Sequence, residues 1–226
     1  MPESPSVKKP LFSRAGLTLL VAGSVLLCLL PISSELLIGL PIERRTSFVI
    51  MQSLLMGTGL LFLFCMVTFL GALFALLFKS VRSTALRTLL ISILAMVFLY
   101  CGMVSSNVIR TKQFEALAER SRPLIAAILR FEKEHGKPPA KLDELVPGYL
   151  KEVPHTGMGA YPDYEYKVST REPGPDHLVA TWELSVPCSI GILNWDVFYY
   201  LPTEKYPEHD YGGSVEPIKN WAYVHE

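Results

Sequence analysis

The residues able to do chemistry fall almost entirely in the second half of this 226-residue chain. All five histidines, His135, His155, His177, His209 and His225, lie beyond residue 109. They are scattered, and no pair stands at H-x-x-x-H or another spacing that brings two imidazoles to one metal. His135 closes a helical stretch, where an imidazole meets the last free carbonyls. Cys188, in SVPCSIG, has no His or basic neighbour in sequence to stabilise a thiolate and reads as a small packed residue. Cys28, Cys65 and Cys101 sit in apolar blocks, so the four cysteines give neither a disulfide framework nor a zinc pattern. Glu208-His209-Asp210 stands in a Pro, Tyr and Gly-rich loop and reads as a solvated turn. Asp163 and Glu165 are carboxylates that folding can pair with others.

Motifs for acyl transfer, phosphate cradling and metal hydrolysis (G-x-S-x-G, Gly-rich loops, DxD, HExxH) are missing from the sequence. The expectation is therefore no catalytic, cofactor-binding or metal site, and no enzyme activity. A dozen aromatics remain: Tyr161, Tyr164, Tyr166, Trp182, Trp195, Phe198, Tyr199, Tyr200, Tyr206, Tyr211, Trp221 and Tyr223. They form either a platform that stacks on a glycan or peptide, or the core of a small sheet, and strand enrichment of aromatics favours the core.

The elements that must position these residues are strands. Tyr164, Tyr166 and Val168 alternate onto one face, as do Leu178, Ala180, Trp182, Leu184 and Val186, with a turn at 171–176 between. A third strand is expected at 196–201 and a short fourth at 221–224. Ahead of them, Phe114, Leu117, Ala118, Leu124, Ile125, Ile128, Leu129 and Phe131 recur at the spacing of a helix with one buried stripe. Pro123 kinks this helix or makes it restart with Ser121 as cap. Gly136 ends it, Pro138 and Pro139 prevent continuation, and a short helix follows around 142–146. One helix across a three- or four-stranded antiparallel sheet makes an α+β head of residues 110–226, large enough for a core of its own.

Residues 1–109 are different. Half of the whole chain is hydrophobic, and the apolar residues concentrate in three blocks, 15–32, 48–78 and 86–109, each long enough to cross a bilayer. The first is expected to be a retained span and not a cleaved signal, because its apolar run continues past Pro31 to Leu40. Lys8, Lys9 and Arg14 precede it, and Lys79, Arg82 and Arg87 surround the loop between the second and third blocks. That distribution is expected to leave the amino terminus inside and the head outside, which in a bacterium with two membranes means spans in the inner membrane and a head in the periplasm. No ionisable residue stands in the middle of a span, which argues against a stand-alone channel or transporter.

The formal charge of zero divides unevenly: eight basic and three acidic residues up to 109, thirteen and eighteen beyond. An acidic head argues against nucleic acid as a partner, since phosphate binding needs clustered Lys and Arg.

The stretch 114–154 resembles the stem-to-head junction of type IV pilins and type II secretion pseudopilins. The matching residues are Leu124, Ile125, Ile128, Phe131, His135, Gly136, Pro139, Leu142, Leu145, Tyr149 and Leu150. The resemblance implies a pilin-like head and a partner in an envelope or secretion assembly. Residues 16–20 echo the prepilin cleavage site, but Val21 stands where that motif carries glutamate, so no such processing is expected. The expected partners are thus the lipid bilayer and an envelope protein, with the head acting by binding or assembly. The alternatives are an envelope enzyme with a shallow site on the head, and an accessory subunit of a larger transporter or respiratory complex.

Overall fold

The computed structural model describes residues 12–40, 44–169, 180–188 and 195–225. The expected turn at 171–176, the start of the second strand, His177, Lys8 and Lys9 lie outside them. The chain divides into two compact units, one formed by residues up to Ser33 with Leu54–Ser106, the other by Ser34–Ser53 with Asn107–Glu226.

Three helices account for the first unit and run on into the second: α1 (Arg14–Ile38), α2 (Arg44–Ala75) and α3 (Arg82–His135). All three are long and apolar enough to cross a membrane. Large apolar side chains point outward from them, Leu19 at 73 % and Leu60 at 66 % exposure, a pattern that a helix packed in water would reverse. α1 outlasts its expected end by six residues. Pro31 lies inside it, and the Ser33 hydroxyl donates to Leu30 O, satisfying a carbonyl near the proline. Glu35, beyond the expected end of the block at 32, consequently belongs to the last turns of the helix. Within this unit Gly102 meets α1 closely: a Cβ there would come 2.5 Å from Cys28 O and 2.6 Å from Pro31 Cγ. Only glycine permits that approach. Thr68 and Ser92 share a hydrogen bond of 3.1 Å between α2 and α3.

The stem is not a separate helix. α3 continues for 54 residues from the third apolar block to His135, because residues 110–113 contain no breaker and Pro123 removes only its own donor from the ladder. Ser121 does not cap a restart; its hydroxyl bonds Leu117 O at 2.8 Å and meets Tyr164 Oη at 2.8 Å. The buried stripe follows the predicted spacing at Phe114, Leu117, Ala118, Leu124, Ile125 and Ile128, all at 6 % exposure or less, but Leu129 is exposed at 41 % and Phe131 is only partly buried against the core. Gly136 ends the helix at φ +71°, its N–H donating to Glu132 O. The short helix that follows is a 3-10 turn, Leu142–Leu145.

The sheet has six antiparallel strands in the order β1-β2-β3-β6-β5-β4. They are β1 (Glu165–Val168), β2 (Trp182–Pro187), β3 (Val197–Tyr200), β4 (His209–Asp210), β5 (Gly213–Ile218) and β6 (Trp221–His225). Three or four were expected. The additional pair is a hairpin, β4–β5, whose two turn residues Tyr211 (φ 52°) and Gly212 (φ 88°) both adopt the left-handed conformation of a type I′ turn. One sheet face carries Trp182, Leu184, Val186, Phe198, Tyr200, Trp221 and Tyr223, which form one core with the α3 stripe. Phe198 stacks on Trp221 with centroids 4.7 Å apart and tilts against Phe114 at 4.7 Å. Each of these side chains, fully buried, contributes about 1.5–3 kcal/mol. The opposite face buries Tyr199, Leu201, Ala222 and Val224. Ile38 and Met51, from the ends of α1 and α2, complete the first core at 1 % and 2 % exposure.

Candidate functional site

Burial of so many apolar groups leaves few polar ones inside the head unit, and the one buried carboxylate of its sheet, Asp196, lies just before β3. The Cys188 N–H donates to Asp196 O at 2.8 Å, joining the ends of β2 and β3. This turns Asp196, at 2 % exposure, into the interior. Its Oδ2 accepts from the Tyr223 hydroxyl at 2.5 Å and lies 3.7 Å from His225 Nδ1. The other ring nitrogen of His225, Nε2, is 3.3 Å from Glu216 Oε2. An imidazole therefore stands between a buried and an exposed carboxylate. Alternation along β6 places Tyr223 and His225 on the same side, which is why both reach Asp196.

Arg110, on α3, supplies the positive charge. Its guanidinium lies 5.3 Å over the Tyr223 ring, a cation–π arrangement, and acts electrostatically on Tyr161, Cys188 and Tyr223. Burial, reinforced by Cys188 and Asp196, pushes the Tyr223 hydroxyl far above the usual tyrosine range. Burial does the same to Tyr161, with Cys188, Glu35 and Asp196 adding to it and Arg110 opposing. Cys188 is fully enclosed and its thiol is also pushed well up, although the backbone amide of Phe198 opposes the shift. Its Sγ donates to Val186 O. A neutral, enclosed thiol is not a nucleophile, so Cys188 is the packed residue that its sequence context predicts.

Three buried oxygens nearby have no hydrogen-bond partner among the described residues: Glu35 Oε2, Gln113 Oε1 and Tyr161 Oη. Gln113 holds its position by donating from Nε2 to Glu35 O at 2.9 Å. Asp196, Tyr161 and Tyr223 of this arrangement are inside, away from solvent, whereas Glu216 is exposed.

Surface hollows on this unit are modest. One of about 210 Å³ is lined by Gly39, His155, Gly157, Met158, Gly159 and Pro162. A smaller one of about 50 Å³ is lined by Tyr161, Pro162, Asp163, Glu165 and Pro187. The loop framing both is held by Thr156, whose N–H donates to Pro162 O and whose Oγ1 accepts from Met158 N. Arg120 Nε donates to Thr156 O at 2.9 Å from α3.

The remaining sequence candidates disperse. His135 stacks on Phe131 at 4.1 Å, with Nδ1 3.0 Å from Phe131 O. His155 is exposed, 3.5 Å from Asp163, and Glu165 pairs with Lys167 instead of with a second carboxylate. Glu208-His209-Asp210 is not a solvated turn: His209 and Asp210 form β4, and Asp210 accepts from the Tyr199 hydroxyl at 2.8 Å. Among the described residues no three His, Cys, Asp or Glu converge as metal ligands. Most of the aromatics are core, with Trp182, Phe198, Tyr199 and Trp221 at 0 % exposure; Trp195 at 65 % and Tyr211 at 40 % are exposed. Glu35, Arg110 and Asp196 escaped the sequence reading. The signal for Glu35 was present, since it is the one carboxylate between residues 4 and 42. No protein-family model, curated protein or solved structure matches this chain.

Proposed function

We propose that this chain is a three-span protein of a bacterial inner membrane whose periplasmic, pilin-like head binds an envelope protein partner. Lys79, Arg82 and Arg87 support the orientation, since basic residues between spans favour the cytoplasmic side. The outward apolar faces of α1, α2 and the first part of α3 support insertion in lipid. The observation that carries the reading is the composition of the head unit. Its core includes Ile38 and Met51 from the ends of the first two helices, so the head is fastened at more than one point of the chain. Such a head suits a fixed docking module better than a subunit that leaves the membrane to polymerise. Its most polar interior groups are enclosed, which leaves the surface for recognition.

The test has two steps. Reporter fusions after Ser80 and after Glu226 are expected to report cytoplasm and periplasm respectively, and the reverse result overturns the topology. A photo-crosslinker at Trp195, the most exposed described aromatic of the head, is then expected to capture a discrete envelope protein in intact cells. Capture of nothing above background sinks the docking role.

One observation favours a second reading, an envelope enzyme: His225 lies between Asp196 and Glu216. That reading requires a turnover activity that His225→Ala abolishes while crosslinking from Trp195 is unchanged.

A further inference from the structure

The first unit contains a groove that the head's function does not use. It has a volume of about 300 Å³ and is walled by Gly71, Ala72 and Ala75 of α2 and by Thr84, Ala85 and Thr88 of α3. Small side chains open it, and hydroxyls line part of the α3 wall. At its end lies the short connection between the helices, a 3-10 turn of Lys79–Val81 running directly into α3. Lys79 and Arg82 flank this end of the groove in sequence, around the lining residue Val81, and Arg87 precedes the lining residue Thr88 further along α3; none of the three is itself a lining residue, and all are exposed. Among the described residues none takes part in an ion pair, and residues 44–114 contain no Asp or Glu at all. The first turn of α3 adds the positive end of a helix dipole beside the same cations.

An apolar slot ending in uncompensated positive charge is complementary to one chemical class, an amphiphile with an anionic head. We propose that the groove between α2 and α3 holds an anionic phospholipid, one acyl chain against Gly71, Ala75 and Ala85, its phosphate on Lys79, Arg82 and Arg87. Cations beside a membrane surface attract anionic headgroups, and the groove gives this attraction a fixed place. A zwitterionic lipid fills the slot but leaves the charges unneutralised. The inference rests on the three helices crossing a membrane and is independent of what the head binds. Extraction of the chain from cell membranes by detergent but not by alkaline carbonate checks that premise separately.

The test uses the full-length protein in detergent with added lipid, read by native mass spectrometry. Phosphatidylglycerol adducts are expected to survive activation that strips phosphatidylcholine, and inorganic phosphate alone is expected not to compete. Removing charge in the triple variant K79Q/R82Q/R87Q weakens the phosphatidylglycerol adduct by about fivefold per cation, roughly a hundredfold in total. The arginine-and-lysine exchange K79R/R82K/R87K retains it. Ala75→Leu fills the slot with every charge in place and is expected to abolish the adduct too. Equal retention of both lipids, an unaffected triple variant, or an unaffected Ala75→Leu variant overturns the site. So does a dimer that Ala75→Leu dissociates, since a second copy then occupies the groove.

Discussion

The two units solve the same problem, polar groups in apolar surroundings, by different routes. In the first unit hydroxyls bond mostly within their own helix, Ser24 to Leu20 O, Thr58 to Leu54 O, Thr68 to Cys65 O and Ser106 to Met103 O, with Thr68–Ser92 as a bond between helices. In the second, phenols reach across the sequence: Tyr223 to Asp196, Tyr211 to Glu183, Tyr166 to Pro139 O and Tyr206 to Asn220 O. A local bond survives the loss of almost any neighbour, whereas a long-range one needs the whole sheet. Tolerance to substitution should therefore follow side-chain chemistry in the head and side-chain size in the helices.

The sharpest break of that contrast is a core aromatic. Trp221→Ala, which empties the space beside Phe198 and Tyr200, is expected to cost about 3–5 kcal/mol. Leu19→Ala, at an exposed site on α1, is expected to leave denaturant midpoints of the purified protein unchanged. Next, Tyr223→Phe removes a donor from a buried carboxylate and is expected to cost about 2 kcal/mol, against less than 0.5 kcal/mol for Ser24→Ala. A comparable loss in both would dissolve the distinction. Size is the sensitive property at Gly102, where Gly102→Val drives a side chain into Cys28 O and Pro31. The expected loss is about 1–3 kcal/mol, read as a lowered thermal transition of the detergent-solubilised protein.

Two smaller effects refine the head's side of the comparison. Gly136→Ala forces a Cβ into the left-handed region at the end of α3 and is expected to cost about 1 kcal/mol. Tyr200 gives the smallest effect. Burial and then Glu204 push its hydroxyl up to about 12. Because the folded value is raised, its contribution is complete below the unfolded value near 10 and is lost as pH rises through about 12. Tyr200→Phe is therefore expected to lessen the fall in stability between pH 10 and 12, measured by urea titration, and to leave stability at neutral pH nearly as it was.

Elements with one dominant period were legible in the sequence. The three apolar blocks, the α3 stripe from Phe114 to Ile128 and the stop at Gly136 each follow from periodicity or from one residue's backbone preference. What failed to show depends on context. Pro123 suggested a break, yet proline interrupts a helix only as far as packing allows, and the stripe on both of its sides is anchored in the same core. β5 was hidden by Pro217, which ordinarily argues against an interior strand. The neighbouring β4 pairs only with Ser214 and Gly213, so at Pro217 that side of the strand is an edge and no donor is missed. The cluster around Asp196 was invisible for another reason. Its members come from residues 35, 110, 161, 188, 196 and 223, and no local pattern joins positions so far apart.

The presence of Ile38 and Met51 in the head core has a temporal side. The chain is synthesised from its amino terminus, so the segment carrying both residues exists well before Phe114 and long before Trp221 and Tyr223. Both residues are therefore already made when the later elements that pack on them emerge, and β6, which lies between β3 and β5, is the last strand to be made.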